Sequence, residues 1–95
     1  MNVRLMVVDF HLGGCRSMKV KRQRLKGMRE RFGKAPNIAV CESDYQDVHQ
    51  RAQWAFVATA ANGDVAERSL SDILQSIESS VDAQLVGVEQ ETLLP

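Results

Sequence analysis

Residues 51–60 read Arg51-Ala52-Gln53-Trp54-Ala55-Phe56-Val57-Ala58-Thr59-Ala60. In an extended chain successive side chains point to opposite faces. Ala52, Trp54, Phe56 and Ala58 therefore share one face, and Gln53 and Thr59 lie on the other. The polar pair marks the outer face, so Trp54 and Phe56 are expected to point into a core beneath helices. Working outward toward the C-terminus, Asn62-Gly63-Asp64 is a turn and cap signal. A helix is expected over 64–80, because Leu70, Ile73, Leu74, Ile77 and Val81 recur at i, i+3, i+4, i+7 and i+11. Residues 83–91 read as a further strand, and 92–95 as a fraying tail. Working outward the other way, a polar stretch at 44–50 joins residues 51–60 to a strand over 37–43. Before it a helix is expected from Ser17, whose hydroxyl can cap it, to Phe32, with Gly33 and Pro36 beyond. Its apolar positions are Met18, Leu25, Met28 and Phe32. Residues 2–12 read as the first strand, ended by Gly13-Gly14.

The order is β-α-β-β-α-β, the ferredoxin-like α+β arrangement: a four-stranded antiparallel sheet with two helices on one face. The chain has 95 residues, 44% hydrophobic and 25% charged, which fits one small domain over 1–95 and excludes a disordered chain. No apolar run is long enough for a membrane span. The start, Met1-Asn2-Val3-Arg4, lacks the pattern of a signal peptide, so a cytoplasmic location is expected. Cys15 and Cys41 are expected to be free thiols there. They have no CxxC spacing and no metal-site spacing.

Net charge is zero but segregated. Residues 16–34 hold nine of the twelve basic side chains, opposed only by Glu30, a net +8. Residues 35–95 carry ten acids against Arg51 and Arg68, a net −8. On a helical wheel Lys19 and Lys26 flank one side of the apolar stripe, and Arg24 and Arg31 the other. Lys21, Arg22 and Arg29 fall inside or beside it. A lysine there must snorkel or find a partner. The helix start is expected to project beyond the sheet, leaving Lys21 and Arg22 exposed with Arg16. Clustered Lys and Arg suit phosphate binding, RNA first among its sources. A solvated helix face, paired with acids of the same chain or of a second copy, accounts for the same charges.

The segment Glu42, Asp44, Gln46, Asp47, Gln50 and Arg51 is a second polar cluster. With His11 and His49 it offers loose metal donors, but no HxH or HxxxH pair fixes a geometry. The simpler reading is structural: Asp47 caps a turn, and Arg51 pairs with a nearby acid. Asp44 or Asp47 can also pair with the Arg16/Lys21/Arg22 cluster and order it. Trp54-Ala55-Phe56-Val57 resembles a base-stacking strand of an RNA-recognition motif, yet the alternation sends its aromatics to the core. Gly13-Gly14-Cys15-Arg16 offers an acylphosphatase-like phosphate loop without that enzyme's motif. Leu5, Val7 and Asp9 share the outer face with Ala55 and Val57, an apolar patch suited to a homodimer or to an ordinary scatter of surface valines.

The run His11-Leu12-x-Gly14-x-Arg16-Ser17-x-Lys19-x-Lys21-Arg22-x-x-Leu25-Lys26 resembles the N-terminal signature of the YlxP-like family, a family of unknown function. Glu42-x-Asp44-x-Gln46-Asp47-x-x-Gln50-Arg51-Ala52 is similar to its second signature, and Glu67-Arg68 also fits. The chain departs from that pattern at Gly13, where proline is usual, at Cys15, where serine is usual, and at Val20, where an acid is usual. The resemblance implies a ferredoxin-like fold and no activity. The family's genes often lie among those for translation initiation and ribosome maturation, which implies ribosomal RNA or the ribosome as partner only by association. The leading expectation is a non-catalytic RNA- or ribosome-binding module with Arg16, Lys19, Lys21, Arg22, Lys26 and Arg29 as phosphate contacts. The alternative is a homodimeric protein-interaction module whose basic helix meets an acidic surface. A weak phosphate-handling enzyme comes third. No cofactor, metal, membrane or small-molecule substrate is implied.

Overall fold

The computed structural model describes all 95 residues. Its elements are β1 (Asn2–His11), α1 (Met18–Arg24), α2 (Met28–Phe32), β2 (Ile38–Asp44), β3 (Arg51–Ala60), α3 (Gly63–Ser80) and β4 (Gln84–Leu94). The strands form one antiparallel sheet in the order β2-β3-β1-β4. The helices cover one face of it, as the ferredoxin-like order requires.

The register shows why this sheet has one wet and one dry face. On β1 and β3, Met6 lies opposite Phe56, Val8 opposite Trp54 and Phe10 opposite Ala52. All six are buried. Burying an aromatic or a large aliphatic side chain contributes about 1.5–3 kcal/mol, so these cross-strand pairs anchor the fold. Helix α3 adds Ala66, Leu70, Ile73 and Ile77 from above. Phe32 of α2 meets Phe56 edge to face, with centroids 5.8 Å apart. On the opposite face Leu5, Val7, Asp9, Ala55 and Val57 are half-buried, and no helix lies over them. There Ser43 Oγ donates to Gln53 Oε1 at 2.8 Å, and Gln53 Nε2 donates to Asp9 Oδ1 at 3.2 Å.

The caps follow the sequence. Ser17 Oγ accepts from the Val20 amide, and Asn62 Oδ1 accepts from the Val65 amide, each satisfying one otherwise orphaned helix donor. Two boundaries differ from expectation. The helix expected over 17–32 is broken: Leu25 caps α1, and Gly27 has φ +88 before α2 restarts at Met28. A left-handed residue cannot continue an α-helix, and glycine takes that conformation without a Cβ penalty. The tail expected to fray is instead strand. β4 runs to Leu94, because Thr92 pairs with Arg4 and Leu94 with Val3 beyond a register shift. That shift breaks the regular ladder which a sequence pattern would reveal.

Candidate nucleic-acid interface

The break at Gly27 makes an elbow between α1 and α2, and the elbow has a cleft beside it. The cleft is about 580 Å³. Met18, Leu25, Met28 and Trp54 supply its apolar surface, and Arg22, Lys26 and Arg29 line it with exposed cations. Glu42, Gln46 and Asp47 come from the end of β2 and the connection that follows.

The six expected phosphate contacts divide. Arg16, Lys19, Arg22, Lys26 and Arg29 are exposed and form no ion pair within the chain. Lys21 is the correction. Its side chain is 2% exposed, and Nζ donates to the carbonyls of Tyr45 at 2.6 Å and Val48 at 2.9 Å. The Glu42 carboxylate stands 3.8 Å from the same ammonium. The helix does not project past the sheet at this point, because the 45–50 connection folds over it and supplies acceptors. A buried ammonium with a carboxylate and two carbonyls is a structural tie, with nothing left for a phosphate. Arg22, Lys26 and Arg29 share the cleft. Arg16 sits apart, in a shallow depression with Cys15, Val48, His49 and Gln50.

Other basic residues of the segment are also tied down. Arg24 donates from Nη1 to the Gly13 carbonyl at 2.7 Å and from Nε to the Asp82 carbonyl at 2.9 Å. Its Nε is also 3.5 Å from the Asp82 carboxylate. Arg31 donates to Ser80 Oγ. Both clamp the α1–α2 arm to the α3–β4 corner.

The polar segment behaves as a folded connection. Tyr45 has φ +63, a left-handed value that is uncommon for a non-glycine residue. It is held by four contacts: its amide donates to Asp44 Oδ1 at 2.7 Å, its carbonyl accepts from Lys21 Nζ and from the Val48 amide at 3.1 Å, and the Arg51 guanidinium lies 4.1 Å from its ring centroid. Gln46 Nε2 donates to the Glu42 carbonyl at 3.1 Å, and the Gln50 carbonyl accepts from Leu12. Three expectations therefore change. Asp44, not Asp47, caps the turn. Arg51 stacks on Tyr45 instead of pairing with an acid. The acid that meets the basic cluster is Glu42, whose side chain shares the dry face of the sheet because it lies opposite Trp54 in the register. His11, Glu42, Asp44 and His49 do not come together as a three-donor metal group.

Trp54 is 7% exposed and packs on the helix side, so it does not form a base-stacking platform on the open sheet face. It does line the cleft, and its Nε1–H is buried without an acceptor. The Arg29 guanidinium lies over its ring, 5.8 Å from the centroid. Sequence reasoning missed Trp54, Met18, Leu25 and Met28 as cleft residues. The one available signal was an isolated glycine, Gly27, inside a helical pattern. Both cysteines are free, as expected, and the buried Cys15 thiol donates to the Ser17 carbonyl at 3.5 Å.

The family described as protein of unknown function (DUF503) matches residues 3–90. The chain belongs to this family. No curated protein matches this DUF503 chain in sequence. Its fold is similar to that of the structural-genomics protein YJCS, with 4% identity and TM-score 0.63 over 97% of this chain and 99% of that one. SnoaB, a cofactor-independent oxygenase from Streptomyces nogalater, is 13% identical with TM-score 0.57, covering 100% of this chain and 94% of that one. The de novo designed protein Foldit4 is 16% identical with TM-score 0.58, covering 100% and 99%. At these identities the likeness is one of fold alone. A fold shared by an oxygenase and a designed chain carries no activity with it.

Proposed function

We propose that this DUF503 chain is a non-catalytic, cytoplasmic binding module for RNA or the ribosome, which it meets through the exposed cations of the α1–α2 arm. The supporting observation is that Arg16, Lys19, Arg22, Lys26 and Arg29 are exposed and none is neutralised by a carboxylate of the same chain. Had this been a solvated face balanced internally, the ten acids of the second half would have met it. They reach the segment only at Lys21 and Arg24. Unpaired clustered cations release counterions when they neutralise phosphates.

The test is co-sedimentation with ribosomal subunits, and binding to a single-stranded RNA, across a salt series. Five phosphate contacts on a single strand give a slope of log K against log salt of about −3.5. The double variant Arg22→Glu/Lys26→Glu should flatten that slope by about 1.4, since each lost contact removes about 0.7. Both residues are exposed, so the variant keeps its fold. Absence of binding at low salt rules the reading out.

A second reading rests on the uncovered sheet face, where Leu5, Val7, Ala55 and Val57 lie half-buried at the centre. In that reading two copies associate and the basic arm meets an acidic protein surface. Its mark is a sedimentation-equilibrium mass that rises with concentration and stays unchanged by RNA.

A further inference from the structure

Trp54 presents a puzzle that packing alone does not resolve. Its ring belongs to the core cluster, yet its Nε1–H is buried with no acceptor. Buried donors in native proteins are nearly always paired, and an exception calls for an explanation. Trp54 lines the elbow cleft, beside three cations that make no ion pair.

The cleft's chemistry is mixed in a way that narrows the ligand. Its volume of about 580 Å³ falls in the range of roughly 300–1,000 Å³ usual for small-ligand sites. Arg22, Lys26 and Arg29 ask for an anion. Trp54, Met18, Leu25 and Met28 ask for a flat or apolar body. The indole N–H asks for an acceptor. Of the three lining carboxylates, Glu42 is matched by Lys21, while Glu30 and Asp47 are exposed and unpaired and ask for donors. A phosphate alone satisfies the first and third demands and leaves the apolar wall and the free carboxylates unmet. A nucleotide satisfies all four, because its base has a π-face and, in every base but uracil, an exocyclic amino group, while its sugar and phosphate oxygens are acceptors for a donor at the edge of the indole ring.

We propose that the elbow cleft between α1–α2 and the end of β2 receives one unpaired nucleotide, its base against Trp54 and its phosphate on Arg22, Lys26 and Arg29. This rests on the RNA reading above and says how the strand is gripped. Arg29 now occupies the place of the base, with its guanidinium over the indole at 5.8 Å. The side chain is exposed and makes no ion pair, so it is free to leave the ring for the phosphate. The base then replaces one π contact by another, a recurrent way of holding unstacked bases. A duplex, whose bases are already stacked, cannot enter. The carboxylates at the rim favour amino-bearing bases over uracil.

Trp54 is the sole tryptophan, so its fluorescence reports the cleft directly. The experiment follows Trp54 emission of the full chain while hexa-adenylate, hexa-uridylate, a short RNA duplex, adenosine monophosphate or inorganic phosphate is added. Anisotropy of a dye-labelled hexa-adenylate, read in parallel, measures RNA binding itself. A saturable emission change with hexa-adenylate and with the free nucleotide is expected, weaker with hexa-uridylate and absent with the duplex. Trp54→Phe keeps an aromatic ring in the core and removes the N–H, and should weaken the anisotropy-measured affinity about tenfold, with circular dichroism and the urea midpoint checked against the parent because the smaller ring leaves a cavity. Arg29→Gln should do so without altering the fold, since Arg29 is exposed. If anisotropy shows binding while emission stays flat and Trp54→Phe binds as well as the parent, the cleft inference fails and the RNA reading survives. If neither signal moves, both fail. An equal emission change with inorganic phosphate makes this an anion site and overturns the inference.

Discussion

The Lys21 ammonium reaches carbonyls 24 and 27 residues further along the chain, those of Tyr45 and Val48. It thereby holds the left-handed Tyr45 and closes the floor of the cleft. Lys21→Met keeps most of the stem's packing and removes every donor, leaving the Val48 carbonyl and the Glu42 carboxylate unmet and the Tyr45 carbonyl with the Val48 amide alone. Hydrogen bonds from a charged group are worth roughly 1.5–3 kcal/mol each, with part of that returned by water reaching the loop. A loss of about 2–3 kcal/mol is expected, read as a lowered urea midpoint at unchanged m-value. Arg22→Met, one position on but exposed, should stay within about 0.5 kcal/mol of the parent. Equal midpoints for the two variants would show that Lys21 is not the tie. The helical wheel placed Lys21 beside the apolar stripe and so posed the question of its partner. It could not answer, because the acceptors are backbone atoms of a loop distant in sequence. Trp54 is similar. Alternation placed it in the core, but the absence of an acceptor for its N–H depends on tertiary neighbours that no period in the sequence reports.

At the scale of elements, strand alternation and helix periodicity carried most of the fold. Arg51–Ala60 and the buried stripe of α3 are where the sequence puts them, because each reads a contact with the core at a fixed period. What failed was continuity. Met18, Leu25, Met28 and Phe32 share a stripe whether or not the helix breaks, so periodicity is blind to the turn at Gly27. The cleft depends on that turn. A Cβ at Gly27 would meet no atom within 4 Å, so the cost of Gly27→Ala is backbone strain alone, about 1–2 kcal/mol for a non-glycine residue in the left-handed region. Thermal unfolding should show that loss with little change in helix content by far-UV circular dichroism. A gain in helix content together with higher stability would mean that α1 and α2 can fuse, and that the elbow is not required by the fold. Gly33 differs: a Cβ there would lie 2.7 Å from the Arg29 carbonyl and 3.1 Å from Val40 Cγ1. Its substitution therefore shifts α2 against β2 instead of straining one residue.

Across the whole molecule the segregated charge becomes a direction. The basic arm lies beside β2 and β3, while Glu89 and Glu91 lie on β4, at the other edge of the sheet. Three strand spacings separate those edges, about 14 Å. The screening length is about 8 Å at physiological salt and about 30 Å at 0.01 M. An RNA held at the cleft therefore feels the β4 carboxylates only when salt is low. Glu89→Gln/Glu91→Gln is expected to raise the affinity for single-stranded RNA, measured by anisotropy, at about 0.01 M salt and to leave it unchanged at about 0.15 M. The charge-reversed arm, Arg22→Glu/Lys26→Glu, should lose affinity at both. The comparison discriminates between surfaces. On the uncovered sheet face Glu89 and Glu91 are paired in register with Val7 and Leu5, so a nucleic acid bound there would sit against them. Removing the two charges would then strengthen binding at either salt concentration, whereas an effect confined to low salt places the strand on the α1–α2 arm.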